Sequence, residues 1–326
     1  MEINEATEGL TRRLTSRLRA RHFALLSAIY RHRTLRLVAV EMNLSQPAVT
    51  KALQELEALI GAPLFERTRR GLVPTPVAEI VVVRGKTILA DLNRLAGDLI
   101  ALDEGYRGII RVGIIPYIAQ SLLTDVVAKL RHGAERYRFL VRDGSTDTLV
   151  GALLRHELDC VLGRFSQIDS AELEQTMLYV QQPRLVANRR HPVRKIRQLR
   201  VAALQHCDWI LPPSPTPTRR AFDEMLVRHQ IELFRPFIET TSMTVIKEML
   251  QRERLGVTLL PDDVALEFER EGVGQILRLG LDFPLPAVSF IRRREPVVDQ
   301  SVNVFEQALR ESLMLRKSKR ATAHIC

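Results

Sequence analysis

Gln46, Pro47, Thr50, Lys51 and Gln54 fall at spacings that put them on one side of a helix. Their chemistry suits a nucleic-acid duplex. Glutamine can pair with the edge of adenine, threonine can meet a phosphate or a thymine methyl, and lysine neutralises phosphate. Further on, Arg67, Arg69 and Arg70 cluster beside Gly71, whose backbone freedom permits a tight turn. Such a basic tip can lie along a phosphate backbone or enter a minor groove. Residues 10–75 carry twelve Lys or Arg against four Glu, a net of +8 in a chain whose total is +10. A basic surface concentrated in one segment is the electrostatic footprint of a polyanionic partner.

Local elements must present these groups. Thr34 is placed to cap a short helix with Leu37, Val38 and Met42 on its apolar side, and Asn43 suits the turn after it. Ser45 caps a second helix with Pro47 in its first turn, and Val49, Leu53, Leu56 and Ile60 form its buried stripe. The layout is that of a winged helix-turn-helix, with Ser45, Gln46, Pro47, Thr50, Lys51, Gln54, Arg67, Arg69 and Arg70 as candidate DNA contacts. A helical hairpin with a merely solvated polar face is the competing reading of the pattern alone. Upstream, residues 10–32 read as one helix. Leu14, Leu18, Phe23, Leu26 and Ile29 face the motif, and Arg12, Arg13, Arg17, Arg19 and Arg21 face phosphate or solvent.

Thr75-Pro76 then opens a long helix to about Leu102. Val77, Ile80, Val81, Ile88, Leu92, Leu95, Leu99 and Leu102 recur along it at intervals of three and four. A lone helix cannot bury that stripe, so a partner is expected, either a second copy or the chain's own remaining domain. After Asp103–Gly108, a candidate hinge, the periodicity changes. Strand patterns at Ile109–Ile114, Tyr137–Val141, Asp159–Leu162, Leu178–Ala187, Trp209–Leu211, Phe237–Glu239, Val257–Leu260 and Ala287–Ile291 alternate with helical ones near 118–132, 146–156, 218–229, 243–252, 262–270 and 298–315. Alternation of this kind implies βαβ units and parallel sheets. In such sheets ligands bind beyond the carboxyl ends of strands, at helix N-termini. That rule selects Tyr117 and Ser121, Thr216 and Thr218, and Thr241 and Ser242, with Arg164 within reach. Convergent hydroxyls and amides favour a small organic anion, although helix capping alone also explains each hydroxyl.

The run Ser45-Gln-Pro-Ala-Val-Thr-Lys-Ala-Leu-Gln-Glu-Leu-Glu57, followed by Gly61-Ala-Pro-Leu-Phe-Glu-Arg-Thr-Arg-Arg-Gly-Leu72 and Thr75-Pro76, closely resembles the LysR-type transcriptional regulators. Within them it looks most like the branch that regulates protocatechuate breakdown and sugar-binding-protein genes. Departures are Val38-Ala39, where paired alanines are usual, and Val77-Ala78-Glu79, where a glycine often follows the wing. The resemblance implies an α plus α/β architecture. Residues 1–75 would be a winged helix-turn-helix, 76–104 a linker helix and hinge, and 105–326 a two-lobed effector domain resembling a periplasmic binding protein. Lobe 1 would span about 108–181 and 286–315, lobe 2 about 182–285, with a second crossing near Phe283–Pro286 and a disordered basic tail at 316–326. It also implies pairing of linker helices through Ile88, Leu92, Leu95 and Leu99 into a homodimer or homotetramer. Promoter DNA and a small-molecule effector are the expected partners, with RNA polymerase as a further candidate.

Other function classes have little support. The sequence shows no phosphate loop, no GxSxG elbow and no readable catalytic triad, so no enzyme activity and no cofactor are expected. Cys160, Cys207 and Cys326 lack zinc spacing, and no metal is expected. One branch of the resembled family senses peroxide, but Cys160 and Cys207 sit in apolar contexts that favour inert buried thiols. An acidic, polar start is no secretory signal, and no apolar run reaches the roughly 18 residues of a membrane span. A cytoplasmic location follows, against the rival of a secreted transport protein. An α/β enzyme fused to a nucleic-acid-binding head is the second rival, and it would need clustered acids or a metal in the cleft.

Overall fold

The computed structural model describes residues 2–69, 71–133, 135–164, 171–214, 216–232, 234–279, 281, 283–295 and 299–323, and side chains between residues 7 and 316. Arg70, Cys326 and the side chains of residues 317–326 lie outside the described residues. The chain divides into two units, Met1–Ile100 and Ala101–Cys326.

The first unit runs α1 (Glu2–Arg17), α2 (Ala20–His32), α3 (Leu35–Glu41), α4 (Gln46–Ile60), a hairpin of β1 (Phe65–Thr68) and β2 (Gly71–Pro74), and then α5 (Pro76–Asp103). The single helix expected over 10–32 is two. Arg19 adopts extended backbone and donates its amide to His22 Nδ1 at 3.2 Å, which starts a new helix. Thr34 holds the cap position of α3 without a hydroxyl cap bond, and Leu37 is half exposed, so the buried side of that helix is Val38 and Ala39. Asn43 takes the left-handed conformation at φ 53°, as a tight turn between two helices requires. Ser45 Oγ accepts the Ala48 amide at 3.3 Å, and Val49, Leu53 and Leu56 are buried.

Two contacts fix the hairpin against the helices. Gly71 has φ 114°, and a Cβ there would lie 2.7 Å from the Arg33 carbonyl oxygen, which accepts the Leu72 amide at 2.8 Å. The Glu57 carboxylate accepts the Leu64 amide at 2.7 Å. Thr75 then caps α5, accepting the Ala78 amide at 3.2 Å and donating to the Pro63 carbonyl at 2.9 Å. Ala78 and Val82 enter the core of the first unit, whereas Ile88, Leu92, Leu95 and Leu99 are exposed.

The second unit holds two five-stranded sheets. In the first, β4 (Tyr137–Asp143), β3 (Gly108–Ile114) and β5 (Cys160–Arg164) run parallel, β12 (Val288–Arg293) lies antiparallel beside β5, and β6 (Leu173–Tyr179) lies antiparallel beside β12. In the second the order is β11 (Gln275–Ile276), β7 (Pro183–Ala187), β10 (Gly256–Pro261), β8 (Asp208–Leu211) and β9 (Ile238–Glu239), with β10, β8 and β9 parallel. Helices α6 (Gln120–Arg131), α7 (Thr146–Leu154) and α11 (Gln300–Ala323) belong to the first lobe. Helices α8 (Pro217–Arg228), α9 (Met243–Arg252) and α10 (Asp262–Arg270) belong to the second. Its core stacks Trp209 on Phe234 at 4.5 Å between ring centroids.

The strand expected over Leu178–Ala187 is a correction. It is two strands in different sheets, because the chain crosses between lobes at 180–182. The return crossing lies between β11 and β12. The last helix also runs to Ala323 rather than ending at 315, so the tail begins as helix.

Gly85 tests the packing of α5. A Cβ there would sit 2.5 Å from Cδ1 of buried Phe23. Alanine gains about 1 kcal/mol of helix propensity over glycine. Overpacking a core costs about 1–3 kcal/mol, so the clash wins. Gly85→Ala is expected to lower the unfolding midpoint of the full chain, and an unchanged or raised midpoint would refute this packing.

Candidate nucleic-acid interface and ligand cleft

Ser45, Gln46, Pro47, Lys51 and Gln54 are exposed on α4, opposite its buried stripe. The Thr50 hydroxyl donates to the Gln46 carbonyl at 3.0 Å, which leaves its oxygen as an acceptor and its methyl as the outward contact. Lys51 lies 4.0 Å from Glu55 with both side chains well exposed, a contact easily exchanged for a phosphate. Arg67 on β1 and Arg69 in the turn are exposed, and Arg70 lies outside the described residues. Sequence reasoning missed the groups that orient this surface. Glu57 ties α4 to the hairpin, and Arg33 stacks on Tyr30 at 4.3 Å while its carbonyl holds Leu72. Only Glu57 left a signal, as an acid beside the hairpin's first strand.

In the second unit a cavity of about 810 Å³ opens between the lobes. Tyr117, Arg164, Thr216, Thr218, Thr241 and Ser242 all line it. Tyr117 leaves β3 in the first lobe and packs into the second lobe's core, its hydroxyl 3.4 Å from the Thr240 carbonyl. Burial pushes its phenol well above the usual range. Thr216 and Ser242 cap α8 and α9, so the N-termini of both helices reach the cavity.

Ser121 does not join this group. Its hydroxyl receives Arg316 at 2.8 Å, and it lines a second cavity of about 610 Å³ with Asp125, Tyr179, Asp263 and Arg270. The reason is helical rotation: Gln120 faces the cleft and Ser121, one residue on, turns away. The amides of both are already taken by the Glu267 carboxylate of α10, at 3.0 and 2.9 Å. That acid is an internal anion at a helix N-terminus, and it joins the lobes.

Arg164 sits at the floor of the cleft, 5% exposed. One terminal nitrogen donates to the Pro286 carbonyl at 2.6 Å, and the other donates to the Gln181 side chain. Gln181 in turn donates to the Tyr117 carbonyl at 3.2 Å and to Asp263, which also accepts the Tyr179 hydroxyl at 3.0 Å. Burial lowers the pKa of Arg164 and raises that of Asp263. Arg164 Nε is buried without a hydrogen-bond partner. Neither thiol is poised for redox chemistry. Burial drives Cys160 well above its ordinary value and Cys207 up to about 11, which disfavours the reactive thiolate. Among the described residues no cluster of His, Cys, Asp or Glu could hold a metal, and no helix is long and apolar enough to cross a membrane.

Residues 20–79 match the bacterial regulatory helix-turn-helix protein of the lysR family, and residues 103–314 match the LysR substrate binding domain. The HTH-type transcriptional regulator GalR of Pseudomonas putida is 28% identical over 266 residues, which span 81% of this chain and 66% of that protein. The regulator GbpR of Azospirillum brasilense is 27% identical, over 79% of this chain and 76% of its own length. Among solved structures, the LysR family transcriptional regulator CbnR superposes with a TM-score of 0.64 at 18% identity, covering 91% of this chain and 99% of its own. A second CbnR structure holds its target DNA complex and superposes at 0.63 with 19% identity, covering 90% of this chain and 100% of its own. These likenesses show the fold. With a lysR-family helix-turn-helix and a LysR substrate binding domain that together take up most of its length, the chain belongs to the LysR family of transcriptional regulators, which are DNA-binding proteins and not enzymes.

Proposed function

We propose that this protein reads a promoter site of interrupted dyad symmetry through α4, as an assembly built on α5, and that a small organic anion in the cleft controls it. The observation that supports the reading most is the division of labour on α4. Val49, Leu53 and Leu56 are buried while Gln46, Lys51 and Gln54 are exposed on the other side. CbnR, whose structure holds its target DNA, supports the same use of the fold. A bidentate glutamine–adenine pair contributes about 1–3 kcal/mol of discrimination. Gln46→Ala is therefore expected to relax base preference in footprinting, and Lys51→Ala to weaken binding to all sequences evenly. Parent-like footprints from both variants would remove α4 as the reader.

Ile88, Leu92, Leu95 and Leu99 are 42%, 43%, 55% and 58% exposed on α5, an apolar row that a second copy would cover. Leu92→Asp or Leu95→Asp would place an unpaired charge in that interface, which is costly. Analytical ultracentrifugation should show the parent as a dimer or tetramer and these variants as smaller species. A monomeric parent at micromolar concentration ends this proposal.

For the effector, Arg164 supplies the charge and the Ser242 cap of α9 supplies a donor, whereas the Thr216 cap of α8 spends its proton on the Pro213 carbonyl at 2.8 Å. The Ser242 oxygen already accepts the Val245 amide at 3.4 Å, which leaves its proton for a ligand. Ser242→Ala should weaken effector binding by about 0.5–1.5 kcal/mol while ligand-free DNA binding stays unchanged. Equal calorimetric affinities for parent and variant would take Ser242 out of the site.

A further inference from the structure

The cleft's two walls differ in chemistry, and the difference specifies more than an anion. On the first lobe, Arg164 is 95% buried by its 5% exposure, and its direct partners are a carbonyl and a side-chain amide, both neutral. Through Gln181 the network reaches the Asp263 carboxylate. A guanidinium remains charged in proteins, so this one, which lines the cavity, is a desolvated cation with no carboxylate hydrogen-bonded to it among the described residues, and its Nε is buried without a partner. A ligand carboxylate in the cavity would supply the missing counter-charge. No second cation lines the cavity among the described residues.

On the second lobe, six hydroxyl side chains line the wall beside Pro217 and Met243: Thr216, whose proton already goes to the Pro213 carbonyl at 2.8 Å, and Thr218, Thr240, Thr241, Ser242 and Thr244. Thr240 Oγ1 accepts the Ser242 amide at 3.0 Å, and Ser242 Oγ accepts the Val245 amide, so both keep a proton to donate outward. Arg219, at the start of α8, offers this wall no charge. It is paired with Asp223 at 2.9 Å and Glu239 at 3.1 Å. Asp143 stands exposed at the cavity rim. Its carboxylate repels a second acid group and accepts bonds from hydroxyls.

We infer that the cleft selects a polyhydroxylated monocarboxylate, with its single carboxylate on Arg164 and its hydroxyl groups along the Thr240–Thr244 wall and Asp143. The inference rests on the reading of this cleft as an effector site for an organic acid, and it narrows that reading to one class. It excludes plain aromatic or aliphatic acids, which would leave the hydroxyl wall unpaired. It also excludes dicarboxylates, whose second charge would meet Asp143, and neutral sugars, which would leave Arg164 unpaired. A site built for hydroxyls rejects analogues that lack them because its own polar groups then lose water without gaining partners.

The test is calorimetric titration of the full chain with D-gluconate, D-glucuronate and shikimate, three hydroxylated monocarboxylates on different frameworks. Hexanoate, benzoate, adipate and D-glucose are the contrasts. At least one of the first three should bind at least about tenfold more tightly than every contrast. Thr241→Val should weaken that binding about threefold to tenfold and leave any benzoate binding unchanged. Thr241 is half-buried at the cavity wall, so this variant tests the site even where replacing Arg164 disturbs folding. Arg164→Gln should abolish the discrimination between gluconate and glucose. Benzoate, hexanoate or adipate binding as tightly as the hydroxylated acids overturns the inference and leaves the organic-acid reading standing. Absence of binding by every carboxylate overturns both. Glucose binding equally well overturns the place given to Arg164.

Discussion

A buried guanidinium whose described hydrogen-bond partners are all neutral is the constraint on which the effector unit depends. Taking Arg164 out of water is expensive, and only fixed polar partners make it tolerable. Those partners are not incidental. Gln181 lies at the first crossing of the chain between lobes, and the Pro286 carbonyl at the return. The same side chain that pins both crossings lines the cleft and keeps one buried nitrogen without a partner. Tyr117, rooted in the first lobe and packed in the second, and Glu267, rooted in the second and capping α6 of the first, hold the lobes around it. On our reading an arriving anion completes a network that folding left one partner short.

The helix-turn-helix unit follows the same economy of polar groups. Side chains that fix α4 and its neighbours bond inside the unit: Ser45 to Ala48, Glu57 to Leu64, Thr75 to Ala78 and to the Pro63 carbonyl. On α4 itself, the Thr50 hydroxyl bonds the Gln46 carbonyl and Lys51 lies 4.0 Å from Glu55, so both stay within the helix that carries them. Gly71 and Gly85 allow the close approaches that position the hairpin and the linker helix, where any larger residue meets Arg33 or Phe23.

What was legible in the sequence was what is decided within a few residues. The Ser45 cap, the left-handed Asn43 and the Thr75-Pro76 helix start are local chemistry, and the structure has all three. Helices α9 and α10 occupy 243–252 and 262–270, the spans their periodicity indicates. What failed was decided at long range. Leu178–Ala187 reads as one strand because each half is apolar, and only the existence of two sheets splits it. Ser121 and Gln120 look equivalent in sequence, yet the packing of α6 sends one to each cavity. Nothing near Arg164 announces Gln181 or Pro286, and nothing near Gln120 announces Glu267, 147 residues away. The break at Arg19 was local but subtle, since it turned on one amide preferring the His22 ring to its own helix.

The central claim is that ligand in the cleft and DNA on α4 bias one equilibrium. Such a coupling is reciprocal by necessity: whatever factor the ligand applies to DNA affinity, DNA applies to ligand affinity. The direct measurement is calorimetric titration of the tightest-binding acid into the full chain, with and without saturating operator DNA, beside DNA titrations with and without that acid. The account predicts two shifts of the same factor, different from one. Ligand affinity that is identical with and without DNA would contradict it.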